Sequence, residues 1–504
     1  MREFVGALDQ GTTSTRFVVF DHAGVEVGRS QLEHRQFLTR PGWVEHDADE
    51  IWRRSTAVIA DALDQANLVQ ADLVGIGIAN QRETSIVWDR RSGKPLGPAI
   101  VWQDVRTEPT VTAWRLSGLA DTLRFRTGLP LSTYSSAAKL IWLLDNVDGA
   151  REGAERGDVL LGTVDSWLIW KMSGEHITDV TNASRTMLMN LETLDWDDEI
   201  LDLLGIPRAA LPRIHASTFG RDELIATRLG DSTSRVAILG VLGDQQAALI
   251  GHRCFSPGDA KNTNGTGSFL LVNTGAEPLF SSRGLITTVA YQFRGERPVF
   301  ALEGAVAVVG AAVQWLRDQL GIISSADEIE NLANRVGDAD GVYFVPAFAG
   351  LFAPYWRADA RGAVFGLSRS HTSAHLARAV LEAIGFQTLD VVSAIDEDLS
   401  RRIEELHVDG GVTANSTCMQ LQADILGIPV LREGVQEATA LGAAYAAGLA
   451  AGYWASTGEL PVPPSRFARR FEPSWSAEER AIRTSRWRRA IQLSLEWADE
   501  LPSP

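Results

Sequence analysis

One short pattern occurs twice in this chain and restricts its fold more than any other feature. Residues 11–20 read "GTTSTRFVVF" and residues 265–273 read "GTGSFLLVN", so a Gly-Thr-x-Ser turn leads into an apolar strand both times. The copies lie about half of the 504-residue chain apart, which is far longer than the period of a solenoid repeat. The pattern predicts two homologous α/β domains, residues 1–250 and 251–504. The alternative is that two common hairpin turns coincide by chance.

The residues around the first copy indicate how each domain is built. Apolar runs predict strands at 4–9 and 16–21 on either side of the turn, and a further strand at 25–31. A helix is predicted from about residue 49 to 67, with Asp47 or Asp49 as its N-cap. Strands at 73–79 and 85–89 follow. The order of elements is that of an α/β domain that opens with an antiparallel hairpin.

Composition excludes several classes of protein. The chain is 45% hydrophobic and 22% charged, as soluble globular proteins are, and its net charge of −17 argues against a nucleic-acid surface. Two distant cysteines without a CxxC predict neither a disulfide framework nor a zinc site, and no signal peptide is visible, so a cytoplasmic location is expected. The uncharged stretch 438–458 is long enough to cross a bilayer. Its many Ala and Gly residues favour a tightly packed buried helix, and no membrane span is expected.

The two repeated turns are suited to a phosphate chain. Glycines and hydroxyl residues present N–H and O–H donors without bulky side chains, and Asp9, directly before the first turn, could hold Mg²⁺. A third glycine-bearing strand end, "HVDGGVTAN" at residues 407–415, is suited to the base and ribose of a nucleotide. The chain has no G-x-x-x-x-G-K-[ST] motif. A nucleotide site is therefore predicted without a P-loop, although each turn alone is weak support.

Two further segments carry polar groups where a strand is predicted to end. In "GVLGDQQAAL", residues 240–249, Asp244 stands between an apolar strand and a helical segment, so it could be a helix N-cap, a base that accepts a hydroxyl proton, or both. In "IANQRET", residues 78–84, Arg82 and Glu83 stand side by side after a buried strand. An arginine beside a carboxylate can donate to and accept from each hydroxyl of a neutral polyol. The alternative for Arg82 and Glu83 is a surface ion pair.

Twelve segments together resemble those of the FGGY carbohydrate kinases, which have an actin-like fold of two ribonuclease H-like domains with a cleft between them. In order they are "ALDQGTTSTR", "PGWVEHD", "IGIANQRETSIVWD", "AIVWQDVRT", "TVDSWLIWK", "TNASRTML", "GDQQAALIG", "KNTNGTGSF", "ALEGAV", "GLFAPYW", "ARGAVFGL" and "VDGGVTAN". They span nearly the whole chain. The "NQRET" and "GDQQAAL" strings resemble the glycerol-specific branch of the family above all.

The resemblance implies a transfer of phosphate from ATP to glycerol, giving sn-glycerol 3-phosphate, with Asp244 as general base and Asp9 organising Mg²⁺. It further implies a homodimer or homotetramer. The implied glycerol-binding residues are Arg82, Glu83, Trp102, Tyr134, Asp244, Gln245 and Phe269. The implied ATP-binding residues are Thr12, Thr13, Ser14, Arg16, Thr266, Gly310, Gln314, Gly411 and Asn415.

Some positions depart from the family pattern. Asn264 stands where Tyr is usual and Phe352 where Gly is usual, and we expect both to alter packing beside the cleft without removing a catalytic group. The loop before Arg235 reads "RLGDSTS" and includes Asp231, so an anionic bisphosphate inhibitor is expected to bind poorly there. Two other functions stay open at this point: a family kinase acting on another polyol or sugar, such as xylulose or gluconate, and an actin-like nucleotide-binding protein without a small-molecule substrate.

Overall fold

The computed structural model of the chain describes residues 4–229, 235–348, 350–433, 437–462 and 468–499. The loop that carries Asp231 lies outside these residues. Among the helices they include, none is both long and apolar enough to cross a membrane.

Among its described residues, the first half of the chain forms a six-stranded main sheet, a four-stranded sheet, two two-stranded sheets and nine α-helices. Its strands are β1 (Phe4–Gln10), β2 (Ser14–Phe20), β3 (Glu26–Glu33), β4 (Glu45–His46), β5 (Leu73–Asn80), β6 (Ser85–Asp89), β7 (Ala99–Ile100), β8 (Val159–Thr163), β9 (Ile177–Asp179), β10 (Met189–Asn190), β11 (Asp195–Trp196), β12 (Arg213–His215), β13 (Ile225–Ala226) and β14 (Val236–Gly243). Its helices are α1 (Ala48–Gln65), α2 (Glu108–Leu116), α3 (Leu119–Thr127), α4 (Ser136–Asn146), α5 (Ala150–Arg156), α6 (Val164–Ser173), α7 (Val180–Ala183), α8 (Asp198–Leu204) and α9 (Asp244–Gly251).

The second half repeats the main sheet of the first. Its strands are β15 (Ala260–Asn264), β16 (Ser268–Gly275), β17 (Ile286–Tyr291), β18 (Val299–Val306), β19 (Tyr343–Val345), β20 (Ala363–Phe365), β21 (Leu406–Asp409), β22 (Val430–Arg432) and β23 (Arg469–Phe471). Its helices are α10 (Gly310–Asp318), α11 (Glu328–Ala333), α12 (Ser373–Leu399), α13 (Ser416–Leu426), α14 (Ala438–Ala450) and α15 (Ala477–Asp499).

The two main sheets share one topology. The first has the order β13-β14-β5-β1-β2-β3, with β2 antiparallel to both β1 and β3, and with β5 and β14 parallel to β1. The second has the order β17-β18-β16-β15-β21-β22-β23, with β15, β16 and β18 antiparallel and β21 and β22 parallel to β15. Both Gly-Thr-x-Ser turns join the first two strands of their sheet. The predicted pair of homologous α/β domains is therefore confirmed as a fold class.

Most of the elements predicted from the first repeat are confirmed. The hairpin of β1 and β2 is antiparallel, and α1 begins at Ala48 with Asp47 as its N-cap, the Asp47 carboxylate accepting from the Asp49 N–H at 2.9 Å. The apolar stretch that begins at Ala438 forms α14, which is buried along most of its length. The interpretation of this stretch as a packed internal helix is correct.

Helices α9 and α14 lie in contact between the two main sheets. Their backbones approach so closely that a Cβ added to Gly442 of α14 would lie 1.7 Å from the carbonyl oxygen of Ala247 in α9. A Cβ on Gly77 of β5 would likewise meet the carbonyl oxygen of Ala443 at 2.1 Å. Small residues thus allow a helix from the second half of the chain to pack on the sheet of the first half.

Candidate active site

The carboxyl ends of parallel strands bring the predicted site residues to one edge of each sheet. In the first sheet, Gln10 of β1 pairs with Asn80 of β5, and Asn80 also pairs with Gly243 of β14. Asp9, Arg82 and Asp244 therefore stand at neighbouring strand ends. In the second sheet, Thr263 of β15 pairs with Asp409 of β21, so the second Gly-Thr turn lies beside the Asp-Gly-Gly segment. Ligands of open α/β sheets bind at such carboxyl edges.

A cleft of about 1830 Å³ lies between these two edges. It exceeds the few hundred to about 1,000 Å³ of a typical pocket for one small molecule. Its walls include eleven of the residues predicted to bind ligands or metal: Asp9, Thr12, Thr13, Arg16, Trp102, Tyr134, Asp244, Gln245, Thr266, Phe269 and Gly411. The remaining six predicted residues, Ser14, Arg82, Glu83, Gly310, Gln314 and Asn415, do not line it.

The first repeated turn forms part of one wall of the cleft. The hydroxyl of Thr12 accepts a hydrogen bond from the indole N–H of Trp102 at 2.9 Å. Arg16 makes ion pairs with Asp9, at 3.4 Å, and with Glu437. Burial raises the pKa of Asp9 above its usual value, and Arg16 offsets this only in part. The first turn therefore places the exposed Thr13 and the half-buried Thr12 next to the buried Asp9 carboxylate.

The second repeated turn lies against the Gly410-Gly411 segment. Gly410 has φ +90°, and a Cβ on it would stand 2.4 Å from the carbonyl oxygen of Asn264, so only glycine fits this position. Gly410 and Gly411 line the cleft, and the turn's Thr266 is exposed in it. A flat, side-chain-free surface results, which is the kind of surface that a nucleotide approaches closely.

Three predicted residues that do not line the cleft support these turns. The hydroxyl of Ser14 accepts a hydrogen bond from Gln31 at 3.0 Å. The N–H of Gly310, at the start of α10, donates to the carbonyl oxygen of Gly265 at 3.1 Å. Asn415 is the N-cap of α13, its side-chain oxygen accepting from the Cys418 N–H at 2.8 Å. Gln314, in contrast, lies exposed on α10 outside the cleft lining.

Aromatic rings form an apolar wall next to the first turn. The ring of Trp102 contacts those of Tyr134 and Phe269 edge to face, with centroids 5.6 and 5.8 Å apart. Such pairs are rigid and exclude water. The position of Tyr134 is fixed from behind by Lys139, whose ammonium donates to three successive carbonyl oxygens of residues 133–135 at 2.5 to 3.0 Å.

Asp244 is the first residue of α9 and reaches the cleft beside this wall. The N-cap of α9 is Gly243, so the interpretation of Asp244 as the N-cap is wrong. Its carboxylate lies 3.3 Å from Nε of Arg82. Burial raises the pKa of Asp244, Arg82 lowers it, and the nearby charge of Asp9 raises it. About a quarter of the side chain, 24%, is exposed to the cleft, so solvent limits this rise.

Arg82 and Glu83 lie just behind the wall, in a buried network of four charged groups. The guanidinium of Arg82 contacts both carboxylate oxygens of Glu303, and Arg185 bridges Glu83 at 2.6 Å and Glu303 at 3.0 Å. Arg82 also donates to the Tyr134 hydroxyl at 3.4 Å. All four charged side chains are at most 2% exposed. They are not a surface ion pair, so that alternative is wrong.

The network sets the charge of its members. Although burial raises it, Arg185 and Arg82 lower the pKa of Glu303 below its usual value, so Glu303 is ionised. Burial raises the pKa of Glu83, and the two arginines offset this only partly. Glu83 also has a left-handed backbone, φ +62°, which is uncommon for a residue other than glycine. The strained turn points the Glu83 carboxylate inward to Arg185.

Several charged residues of the site were not predicted from the sequence. Arg185 and Glu303 stand inside the family segments "TNASRTML" and "ALEGAV", where each is the single charged residue, and this isolation is the signal that could have identified them. Lys261 is fully buried, donates to the Gln245 side chain, and has its pKa lowered to about 8 chiefly by burial. Of the two residues that depart from the family pattern, Phe352 lines the cleft, whereas Asn264 is buried behind the second turn.

Comparison with known proteins places this geometry in a family. The model of the FGGY family of carbohydrate kinases, N-terminal domain, matches residues 4–251, and that of the C-terminal domain matches residues 260–451. Glycerol kinase 1 of Streptomyces coelicolor is 57% identical, over 99% of each chain. The crystal structure of Plasmodium falciparum glycerol kinase with ADP has a TM-score of 0.90 at 35% identity, covering 98% of both chains.

A more distant structure shares the architecture alone. Gluconate kinase from Lactobacillus acidophilus has a TM-score of 0.85 at 24% identity over 99% of each chain. The repeated sheets, the cleft between their carboxyl edges and the family models over both halves agree: the chain belongs to the FGGY family of carbohydrate kinases.

Proposed function

We propose that the protein transfers the γ-phosphoryl group of ATP to glycerol, producing sn-glycerol 3-phosphate and ADP. The observation that carries the proposal is the position of Asp244. Its partly exposed carboxylate lies where the aromatic wall meets the two repeated turns. The full-length similarity to glycerol kinase 1 of Streptomyces coelicolor agrees with it.

Asp244 acts as the general base in this proposal. A base must reach the hydroxyl proton that it accepts, and a pKa nearer to neutrality favours the transfer. Burial and the charge of Asp9 raise the pKa of Asp244 toward neutrality, and Arg82 holds the carboxylate in place at 3.3 Å. In-line attack then needs little further covalent chemistry from the protein, because phosphoryl transfer depends mainly on positioning and on charge neutralisation.

Glycerol occupies the pocket beside the aromatic wall. Trp102 and Phe269 enclose its carbon chain, while Tyr134, Asp244 and Gln245 face its hydroxyls. Arg82 and Glu83 form the polar floor behind these residues and complete the hydrogen bonding of the triol. Because every hydroxyl both donates and accepts, a floor of paired guanidinium and carboxylate groups suits a neutral polyol.

ATP lies across the two repeated turns and the Gly410-Gly411 segment. Thr12, Thr13 and Thr266 donate to its phosphates, and Arg16 adds positive charge. Gly411 approaches the base and ribose, while Ser14, Gly310 and Asn415 shape the turns and helix starts around it. Gln314 contacts the nucleotide from α10 in this proposal.

Asp9 holds the Mg²⁺ ion in this proposal. The Asp9 and Asp244 carboxylates lie close enough for the charge of one to raise the pKa of the other, so a cation next to Asp9 would relieve their repulsion. Carboxylate oxygens are the ligands that Mg²⁺ prefers. When bound, the ion neutralises charge on the phosphates.

A substrate panel tests the proposal directly. The release of ADP is measured with ATP and Mg²⁺ in the presence of glycerol, other polyols, xylulose or gluconate. We expect glycerol to give the highest kcat/KM. A higher kcat/KM with another compound would identify that compound, and not glycerol, as the substrate. ATP hydrolysis at the same rate with every compound would indicate an actin-like ATPase.

The organisation of the molecule completes the proposal. The glycerol pocket belongs mainly to residues 1–250 and the base and ribose surface to residues 251–504, and the enzyme works in the cytoplasm as a homodimer or homotetramer. Gel filtration with light scattering tests the assembly, for which a monomer at enzyme concentrations would be the contrary result.

A further inference from the structure

Three side chains that the proposed reaction does not use converge next to the cleft. His252 directly follows α9, His407 lies on β21, and Glu433 follows β22. One ligand atom from each lies within 4.8 Å of the other two. His252 is buried, and the His407 and Glu433 side chains are only 14% and 13% exposed. Segments far apart in sequence thus bring two imidazoles and a carboxylate together.

The Nδ1 atoms of the two histidines face the same carboxylate. Nδ1 of His407 lies 2.9 Å and Nδ1 of His252 lies 3.5 Å from oxygens of Glu433. Both Nδ1 atoms are buried, and within the described part of the chain neither makes a well-directed hydrogen bond. Ligand atoms around a tetrahedral metal with bonds of about 2.0 to 2.1 Å stand roughly 3.3 Å apart. The two Nδ1–oxygen separations, each to a different Glu433 oxygen, lie on either side of this value, and the three candidate ligand atoms lie within 4.8 Å of one another.

The opposite nitrogen of each histidine faces a second carboxylate. Nε2 of His252 bonds with Asp409 at 3.0 Å, and Nε2 of His407 lies 3.5 Å from Glu405. A carboxylate that accepts from one ring nitrogen leaves the other nitrogen as the free lone pair and orients the ring, an arrangement typical of metal-binding histidines. These carboxylates therefore orient both rings so that their Nδ1 atoms face Glu433.

The cluster is built to hold positive charge. Although burial lowers it, the carboxylates of Asp409 and Glu433 raise the pKa of His252 to about 9. The histidines in turn lower the pKa of Glu433. Arg253, 3.7 Å from Glu433, is one-third exposed and can turn toward solvent. A divalent cation between these groups would contact both buried Nδ1 atoms and the Glu433 carboxylate together.

We propose that His252, His407 and Glu433 bind a divalent cation of the zinc class through two imidazole nitrogens and one carboxylate, with water in the fourth position. Imidazole and carboxylate ligands suit Zn²⁺, and three protein ligands leave one open position. The site lies beyond the proposed kinase chemistry and needs no cysteine, which explains why cysteine spacing does not predict it.

The site would connect two parts of the active cleft. His252 follows the end of the helix that begins with Asp244, and His407 stands two residues before Asp409, which lines the nucleotide side. A bound cation would therefore join the helix of the proposed base to the strand of the nucleotide edge.

Metal titration of the purified full-length chain tests the site. In excess Mg²⁺ at neutral pH, isothermal titration with Zn²⁺ is expected to show one tight site per chain. Because imidazole and carboxylate ligands must be deprotonated, the apparent affinity for Zn²⁺ should fall when the titration is repeated at acidic pH. Co²⁺ in place of Zn²⁺ should give the visible absorption of a four-coordinate site.

Matched variants locate the bound metal. His407→Gln and Glu433→Gln are expected to weaken Zn²⁺ binding at least about tenfold, as even the loss of an outer partner of a ligand does. His371→Gln is the control, because it removes one member of the histidine pair with i, i+4 spacing, His371 and His375, which lies outside the cluster. It should bind Zn²⁺ as the unmodified chain does.

Two results would contradict the proposed metal site. Absence of Zn²⁺ uptake by the unmodified chain, or uptake that His371→Gln weakens while both cluster variants leave it unchanged, would overturn the proposal. The cluster would then serve only to hold a protonated histidine. Thermal melting of each metal-free variant shows whether it is folded, and the Co²⁺ spectrum of the unmodified chain needs no variant.

Discussion

At the scale of single residues, the central contact is the one between Arg82 and Asp244. The same guanidinium contacts Asp244 at 3.3 Å, pairs with Glu303 and reaches the hydroxyl of Tyr134. The proposed base and the floor of the polyol pocket are therefore held by one side chain. Changes at either residue should separate chemistry from stability in predictable ways.

Asp244→Asn removes the proton acceptor and keeps the shape of the side chain. We expect kcat to fall by roughly 10²- to 10⁴-fold, the usual contribution of general acid–base catalysis. Because Gly243 rather than Asp244 caps α9, thermal stability and ATP affinity should change little. Single-turnover kinetics measures the rate of the phosphoryl-transfer step. A variant that retains more than about a tenth of the original kcat would show that another group accepts the proton.

Arg82→Ala leaves Glu303 and Glu83 with one guanidinium instead of two. Breaking a buried ion pair by removing one partner typically costs 3 to 5 kcal/mol, so denaturant unfolding should show a loss of about that size, and the KM for glycerol should rise steeply. Arg208→Ala is the control, since its pairs with Asp195 and Asp198 are exposed and such pairs are worth at most about 1 kcal/mol. Equal losses in the two variants would contradict a special role for the buried network.

Asp165 gives a prediction for pH. It is fully buried, accepts from Thr163 at 2.5 Å and Thr178 at 2.6 Å, and has its pKa raised from 3.8 to about 6 by burial and by Asp179. A raised pKa means that the folded state holds the proton more tightly than the unfolded state. This contribution is complete below pH 3.8 and is lost as the pH rises through about 6.

Asp165→Asn should therefore change the pH dependence of stability. Relative to the variant, the original chain should lose about 1 to 3 kcal/mol of unfolding free energy between about pH 4 and 6. Urea unfolding at several pH values measures the difference, with the exposed Asp198→Asn as control. A constant difference across this range would show that Asp165 does not titrate there.

At the scale of elements, the contact between α9 and α14 supports the position of the base. Since a Cβ on Gly442 would lie 1.7 Å from the Ala247 carbonyl oxygen, Gly442→Ala must push the helices apart. Overpacking typically costs about 1 to 3 kcal/mol. We also expect kcat to fall, because α9 begins with Asp244.

The control is Gly337→Ala, where an added Cβ meets nothing within 4 Å. Thermal melting and steady-state kinetics should leave this control close to the unmodified chain. If Gly442→Ala behaved in the same way, the close helix contact would have no role in positioning Asp244.

The sequence predicts secondary-structure elements better than it predicts contacts between residues that are far apart in the chain. The strands around residues 4–20, the helix capped by Asp47 and the buried helix after Ala438 follow from local patterns, and the structure confirms them. The pairing of Arg82 with Glu303 joins residues 221 apart, and local periodicity carries no information about such a contact. The burial of Arg82 and Glu83 behind the wall is therefore known only from the fold.

At the scale of the whole molecule, the cleft separates two surfaces that must act together. The first turn, Trp102 and Tyr134 belong to one half of the chain, and the second turn, Phe269 and the Gly410-Gly411 segment belong to the other. Because both halves must contact one ATP and one glycerol molecule, the 1830 Å³ cleft is expected to close when both are bound.

Small-angle X-ray scattering measures this closure. We expect the radius of gyration to fall when glycerol and a non-hydrolysable ATP analogue are added together, and to fall less with either alone. An unchanged radius with both ligands would mean that the cleft binds them without closing.

The shared use of Arg82 limits how the enzyme can change over evolutionary time. A mutation that widens the pocket for a longer sugar by replacing Arg82 also releases the base and leaves Glu83 and Glu303 to share the guanidinium of Arg185. Single steps toward a new substrate would pass through inactive, unstable intermediates. Divergence at this pocket should therefore require concerted replacement of the whole network, and directed-evolution libraries that vary Arg82, Glu83, Arg185 and Glu303 together should yield new specificities that one-position libraries do not.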